Sequence, residues 1–121
     1  MNETIKTLLN RRTIRKFKPE QITDGELNAV LEAGKYAPSG GNQQSALLIA
    51  VQNKEMIKKI TKMNAAVIGK DIDPYYGAPT IILVLAEKNK ATPLEDGSLA
   101  IGKYVQCCLF SRYWIMLGTS H

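Results

Sequence analysis

The sequence predicts a layered fold of the α+β or mixed α/β class, in which helices cover a sheet. Amphipathic segments with helical spacing alternate with two short, continuous apolar runs at residues 47–51 and 80–86. Apolar residues make up 45% of the chain and charged residues 22%, which is ordinary for a globular domain. A chain of 121 residues can bury one core, so we expect a single domain over residues 1–121.

Two helices are expected in the first third of the chain. Residues 3–11 form a short helix whose apolar face holds Ile5, Leu8 and Leu9. The second helix begins at a capping box, in which Thr23 caps the helix and Glu26 reaches back to the Thr23 amide. It ends near residue 37, and its buried face is expected to hold Leu27, Val30, Leu31 and Gly34.

The remaining elements follow the two apolar runs. Both runs are strands, and the second lacks alternation, so we expect it to be buried on both faces. The spacing of apolar residues and lysines over residues 54–68 predicts an amphipathic helix. We expect its lysines to form a solvated face rather than a binding site. Its inward residues are predicted to be Met56, Ile60, Met63 and Val67. A turn is expected at residues 93–97, and Asp96 or Ser98 is expected to cap a final helix beginning at Leu99.

Charge and cysteine content narrow the function classes. The net charge of +5 could indicate nucleic acid or lipid as a partner, but the cations are scattered and no recognition motif accompanies them. The apolar runs are too short to span a bilayer, and the N-terminus lacks an export pattern. The adjacent Cys107 and Cys108 suit neither a disulfide framework nor a zinc site. We expect a cytoplasmic protein that binds neither nucleic acid nor membrane.

A cluster of cations just after the first helix is the first candidate site. Arg11, Arg12 and Arg15, with the hydroxyl of Thr13 between them in the sequence, could surround a phosphate group. Arginine presents a planar fork of donors that matches the oxygens of a phosphate group. The alternative is a solvated basic helix end, which the helix dipole also favours.

A glycine-rich polar loop after the second helix is the second candidate site. It reads Pro38-Ser39-Gly40-Gly41-Asn42-Gln43-Gln44. Glycines allow close approach of backbone amides, and Asn and Gln side chains both donate and accept hydrogen bonds. These properties suit a flat, polar ring, although an ordinary helix-terminating loop would have the same composition.

Both motifs resemble those of the nitroreductase family of flavoenzymes, with the pattern Arg-Arg-[Ser/Thr]-x-Arg followed by Pro-Ser-x-x-Asn-x-Gln. The resemblance covers residues 3–102 and implies an α+β fold with a mixed, antiparallel-rich sheet flanked by helices. It also implies a homodimer with flavin mononucleotide (FMN) at the interface and NAD(P)H as co-substrate. A nitroaromatic, quinone or similar small molecule would accept the electrons. The implied phosphate-binding residues are Arg11, Arg12, Thr13 and Arg15, and the implied ring-binding residues are Pro38, Ser39, Gly40, Asn42 and Gln44.

Two features near these motifs remain open. The family usually continues the loop with Pro-Trp, whereas this chain has Ser45-Ala46, which predicts a looser loop or an altered substrate side. Tyr75 and Tyr76 could line a substrate pocket, although packing is the simpler interpretation.

His121 is the last residue and the only histidine, so no catalytic triad or histidine-rich metal site is expected. Redox chemistry would belong to the flavin.

The resemblance ends abruptly after Gly102. Reading the back-translated sequence one base further on turns Lys103-Tyr104 into Asn-Met with allowed codons. It also forces a glycine from Trp114-Ile115 and a cysteine from Met116-Leu117, which fits the family's Gly-x-Cys-Trp block. We expect residues 103–121 to be an out-of-frame tail on a C-terminally truncated domain; the alternative is a genuine divergent helix.

Two rival functions accompany the flavoenzyme prediction. A flavin-binding remnant would bind FMN without oxidising a nicotinamide. A small basic nucleic-acid-binding protein would bind DNA or RNA with a steep salt dependence and would have no affinity for flavin.

Overall fold

A computed structural model describes residues 2–12, 15–111 and 116–119. Four helices, three strands and one 3₁₀ turn follow one another along these residues. In chain order they are α1 (Glu3–Leu9), α2 (Asp24–Lys35), the 3₁₀ turn (Gly40–Asn42), β1 (Ala46–Val51), α3 (Lys54–Ile68), β2 (Ile81–Ala86), α4 (Pro93–Ser111) and β3 (Met116–Thr119). None of the described helices is long and apolar enough to cross a bilayer.

The sheet is mixed, with strand order β1-β2-β3. β1 and β2 pair antiparallel along six residues each, from Ala46 opposite Ala86 to Val51 opposite Ile81. β3 adds to the other edge of β2 in parallel. The predicted α+β class and mixed sheet are therefore confirmed. The sheet that the family resemblance implies to be antiparallel-rich has one antiparallel and one parallel strand pair among the described residues.

The core lies between the sheet and the pair α2 and α4. Val30 of α2 and Tyr104 of α4 are fully buried against Ile82 and Val84 of β2. β2 is the central strand, which explains why its sequence is apolar without alternation.

Helix α2 follows its predicted pattern closely. The Thr23 hydroxyl oxygen accepts a hydrogen bond from the Glu26 amide at 3.2 Å, as expected of an N-cap. The Glu26 carboxylate accepts from the Thr23 hydroxyl rather than from its amide. Val30 and Gly34 are buried, and Leu27 and Leu31 pack at the edge of the core.

The predicted start of the last helix is wrong. We expected a turn at residues 93–97, but α4 begins at Pro93. Proline is well suited to the first helical position, where no partner exists for the amide that it lacks. Asp96 is therefore not an N-cap but lies within the first turn, where its amide donates to the Thr92 carbonyl.

The predicted inward face of α3 is also wrong. Met56, Met63 and Val67 are 47%, 68% and 85% exposed, and only Ile60 is half-buried. Helix α1 likewise has no buried residue. Amphipathic spacing identifies the apolar face of a helix, but it does not say whether the same chain covers that face.

Part of the predicted out-of-frame tail is ordered helix. α4 continues to Ser111, and Tyr104 is a core residue. The residues 112–115 and 120–121, which include the Trp114-Ile115 pair, lie outside the described residues. The frameshift stays a prediction, because the fold of a chain does not show which codons encode it.

Gly34 provides a direct test of this packing. A Cβ at Gly34 would lie 2.7 Å from Leu48 Cδ1 and 3.3 Å from the Tyr104 ring. We expect the free energy of unfolding of Gly34→Ala to be about 1–2 kcal/mol lower than that of Gly25→Ala, because overpacking at Gly34 forces these side chains apart. Chemical denaturation measures the change.

Gly25→Ala is the matched control, since Gly25 lies in the same helix with nothing within 4 Å of its Cβ position. It should leave stability unchanged or raise it by up to about 1 kcal/mol. Equal losses in both variants would contradict the close packing of α2 on the core.

Candidate functional site

The loop between α2 and β1 has an unusual backbone. Gly41, Asn42 and Gln44 all have positive φ, at +60°, +56° and +51°. Only glycine adopts this left-handed region freely, and other residues lose roughly 1 kcal/mol or more there. Two non-glycine residues in this conformation must be held by their surroundings.

Some of the restraint comes from within the loop. The Ser39 hydroxyl oxygen accepts a hydrogen bond from the Gln44 amide at 3.0 Å, and the Ser39 carbonyl accepts from the Asn42 amide at 3.0 Å. These bonds close the 3₁₀ turn and draw its two ends together.

The rest of the restraint comes from Asp96 of α4. The buried carboxylate, only 3% exposed, accepts from the Gly40 amide at 3.0 Å and from the Thr92 hydroxyl at 2.9 Å, both at Oδ1. Its Oδ2 accepts from the Ser45 hydroxyl at 3.1 Å. One carboxylate therefore fastens both the start and the end of the loop to the helix, an arrangement that we call the Asp96 clasp (Gly40, Ser45, Thr92 and Asp96).

The clasp changes the acidity of its central group. The hydrogen bond from the Gly40 amide is the main reason that the pKa of Asp96 lies below its ordinary value. Burial acts in the opposite direction, and the hydroxyls of Thr92 and Ser45 lower the pKa further. Asp96 is thus held as a carboxylate, the form that accepts all three bonds.

Gly40 lies very close to the start of α4. A Cβ at position 40 would overlap Thr92 Oγ1 and contact the rest of the Thr92 side chain. Because Thr92 is itself bonded to Asp96, it cannot move aside without breaking the clasp. Glycine is therefore required here for close approach.

An open cavity of about 820 Å³ lies beside the loop, within the size range of small-molecule sites. Its walls come from the end of α2, the loop, β1 and the first turns of α4. The lining residues are Glu32, Gly34, Lys35, Tyr36, Ala37, Pro38, Ser39, Asn42, Gln44, Ala46, Leu47, Leu48, Asp96 and Ala100.

The structure brings most of the predicted loop residues to this cavity. Pro38, Ser39, Asn42 and Gln44 line it, and Asn42 and Gln44 are exposed. Gly40 does not line the cavity and instead binds Asp96. The predicted loosening at Ser45 is not observed, because Ser45 is buried and bonded to Asp96.

The predicted arginine cluster lies apart from the cavity. Arg11, Arg12 and Arg15 are exposed, and none of them lines the cavity in the described part of the chain. Arg12 Nη1 donates to the carbonyl of Arg11 at 2.8 Å. Thr13 lies outside the described residues.

Sequence reasoning missed the helix side of the site. Nothing in the spacing of residues 40 and 96 indicates that they meet, and Asp96 was interpreted as a cap. Tyr36, 74% exposed on the cavity wall, was also missed. Its position directly before the Ala-Pro that opens the loop was the available signal.

Neither of the other candidates, Tyr75 and Tyr76, lines the cavity, and Tyr76 is 45% exposed. Tyr75 is buried and its hydroxyl accepts from Asn64, and burial is the main reason that the pKa of Tyr75 is raised. Within the described residues, no group of three or more His, Cys, Asp or Glu could hold a metal ion.

Comparison with known proteins decides the family. The sequence model of the nitroreductase family matches residues 8–74, more than half of the chain. The chain belongs to the nitroreductase family. The match includes both predicted motifs, so the resemblance inferred from the sequence is confirmed.

Individual relatives agree with this assignment. An FMN reductase [NAD(P)H] of Bacillus subtilis is 37% identical over 98 residues, which are 79% of this chain and 37% of that protein. A putative NADH dehydrogenase/NAD(P)H nitroreductase of Methanothermobacter thermautotrophicus is 30% identical over 117 residues, 96% of this chain and 53% of that protein.

Solved structures show the same fold. A nitroreductase with bound FMN from Bacteroides fragilis superposes with a TM-score of 0.81 at 29% identity, covering 90% of this chain and 65% of that one. The chain spans between 23% and 53% of the curated relatives that it matches. The activity, substrates and partners of full-length family members therefore extend to this chain only as proposals.

The clasp predicts an acid-sensitive contribution to stability. Because the pKa of Asp96 is lowered in the folded state, its contribution is full above the ordinary aspartate pKa and is lost as pH falls through the folded value. We expect Asp96→Asn to lower the melting temperature at pH 7, and we expect the gap to wild type to shrink below about pH 4.

Melting curves of both proteins between pH 3 and 7 measure this gap. Glu95→Gln, which neutralises an exposed carboxylate on the same helical turn, is the control and should show no comparable gap. A gap for Asp96→Asn that is independent of pH would contradict the ionised clasp.

Proposed function

We propose that this chain is the FMN-binding part of an oxidoreductase that uses NAD(P)H and reduces nitroaromatic, quinone or similar small acceptors. The observation that carries the proposal is the loop at residues 38–44. It is held in a strained conformation beside a cavity of about 820 Å³, in a chain that belongs to the nitroreductase family. The Bacillus subtilis relative is named an FMN reductase, and the Bacteroides fragilis neighbour contains FMN.

The residues present fit such a cofactor. An aromatic ring system needs a flat slot with donors and acceptors along its edge. Ser39, Asn42 and Gln44 supply polar groups on the cavity wall, and Pro38, Leu47 and Leu48 supply apolar surface. In this proposal the Pro38–Gln44 loop holds the ring, with Gly40 setting its distance from α4.

The arginine cluster would hold the phosphate. Arg11, Arg12 and Arg15 are exposed, and Arg15 has no acid partner among the described ion pairs. Together with Thr13 they offer three forked cations and a hydroxyl to a dianion. When bound, the flavin would supply the redox chemistry, while the chain binds and orients it and keeps bulk water from one side.

A homodimer is part of the proposal. Among the described residues, the cavity wall contains Lys35 but no arginine. We therefore propose that a second copy brings its arginine cluster to the cavity. Leu47 of the cavity wall is 57% exposed, Ile49 is exposed beside it, and Leu8 and Leu9 near the arginine cluster are 53% and 62% exposed. These apolar residues suit a contact between two copies. Light scattering of the flavin-loaded chain would give twice the monomer mass; a loaded monomer would contradict the dimer.

One alternative function has a specific observation in its favour. The chain spans at most 53% of the curated relatives, so it could bind flavin without turnover. Nicotinamide oxidation by the FMN-loaded chain, followed at 340 nm, separates the two. Binding without oxidation would support the remnant.

The origin of residues 103–121 and the cytoplasmic location are further parts of the proposal. We propose that the tail is translated out of frame and that the chain functions in the reducing cytoplasm. The coding bases from codon 100 onward test the first point, since an early stop in the shifted frame would contradict it. Cell fractionation tests the second.

The two motifs predict different effects on two flavins. Arg12→Gln with Arg15→Gln should weaken FMN binding by about tenfold or more, because two charge-assisted contacts to the phosphate are lost. Riboflavin, which has the ring but no phosphate, should bind both proteins with similar affinity. Fluorescence titration measures all four dissociation constants.

Lys58→Gln with Lys62→Gln removes the same charge from α3 and is the matched control. It should change neither affinity by more than about twofold. Equal losses of FMN affinity in both double variants would show that net charge alone attracts the ligand, and would contradict a phosphate site at residues 11–15.

A further inference from the structure

We propose that Asp96 is a positioning residue for the flavin ring: by fastening Gly40 and Ser45 to α4, it keeps the loop in the conformation that binds flavin. This inference rests on the proposed function. It assigns a role to a residue that does not belong to either cofactor-binding motif.

The first step of the argument is geometric. The Asp96 carboxylate is the only described side chain outside the loop that accepts from a loop backbone amide, that of Gly40 at 3.0 Å. It also binds the Ser45 hydroxyl at 3.1 Å. The two anchored residues flank the segment at positions 41–44, so the clasp fixes both ends of that segment.

The second step concerns the segment between the anchors. Gly41, Asn42 and Gln44 are left-handed, a conformation that a free loop containing Asn and Gln would leave. Within the loop, the amides of Asn42 and Gln44 donate to Ser39 and the amide of Gln43 donates to the Gly40 carbonyl. These bonds do not connect the loop to the rest of the fold. Without Asp96 the loop would populate other conformations, and only the fraction in the bound shape would accept the ring.

The third step concerns the contacts and the burial of Asp96, which suit it to hold the loop in place. Thr92 donates to the same carboxylate oxygen as Gly40 and lies where a Gly40 side chain would be. Asp96 is only 3% exposed although it borders the cavity, so little of it is open to competing water. Lowering of the pKa of Asp96 by the Gly40 bond agrees with this arrangement.

The test compares flavin affinity in graded variants of the full chain. Asp96→Ala removes all three bonds and should raise the dissociation constants of FMN and riboflavin alike, by about tenfold or more, because the ring side is affected. Asp96→Asn keeps an acceptor for the Gly40 amide and should recover part of the affinity. Glu95→Ala, an exposed carboxylate on the same turn, is the control and should change neither constant by more than about twofold.

A second readout does not depend on flavin. Hydrogen exchange at the Gly40 amide, followed by NMR in the flavin-free protein, should accelerate by about tenfold or more in Asp96→Ala and remain unchanged in Glu95→Ala. If Asp96→Ala does not fold, Ser45→Ala decides, with Ser98→Ala as control. Ser98 binds only the Leu94 carbonyl within its own helix. Ser45→Ala should weaken both flavins about threefold to fivefold.

The outcomes are distinguishable. Wild-type affinity in Asp96→Ala, unchanged Gly40 exchange, or a loss confined to FMN would overturn the positioning role. A wild-type chain that binds neither flavin would refute the proposed function instead. In that case Gly40 exchange alone would still decide whether Asp96 holds the loop.

Discussion

The hydrogen bonds that converge on the Asp96 carboxylate are the interaction on which the rest of the site depends. They join the first turn of α4 to a loop between α2 and β1, two segments more than fifty residues apart in the chain. The core places these segments side by side, because Val30 and Tyr104 bring α2 and α4 together on β2. Packing therefore brings the two segments together, and the hydrogen bonds to one buried carboxylate then fix the conformation of the loop.

In the proposed flavin site, ring binding and phosphate binding belong to different segments of the chain. The loop presents exposed groups, such as the Asn42 and Gln44 side chains. Hydrogen bonds to Asp96 on the side of α4 stabilise the unfavourable backbone conformation of the loop. The arginines lie on a different segment and do not line the same cavity. A site divided in this way can be completed by a second copy of the chain, which is why we link flavin binding to dimer formation.

Much of the fold could be predicted from the sequence, because local patterns determined it. The Thr23 cap, the buried face of α2 and the unalternating β2 strand were all predicted, and the structure has them. The start of α4 was not predicted, because Pro93 and Gly97 looked like a turn until packing on β2 was known. The exposed face of α3 was missed because spacing does not identify what covers a helix.

The candidate site was predictable in part for the same reason. Motif residues such as Ser39 and Asn42 lie close together in the chain, so the loop could be recognised from its resemblance to the family's motif. Its composition alone also fitted an ordinary helix-terminating loop. Asp96 could not, because its role depends on tertiary proximity. Tyr36 was recognisable in principle as an aromatic residue directly before the loop.

Chemical-shift mapping of the ¹⁵N-labelled chain during titration with FMN tests the central claim most directly. The account predicts saturable shifts at the amides of Ser39, Gly40, Asn42 and Gln44 and around the arginine cluster, with little change along Lys54–Ile68. Saturable shifts concentrated on the lysines of α3, or no saturable shifts in the loop, would contradict it.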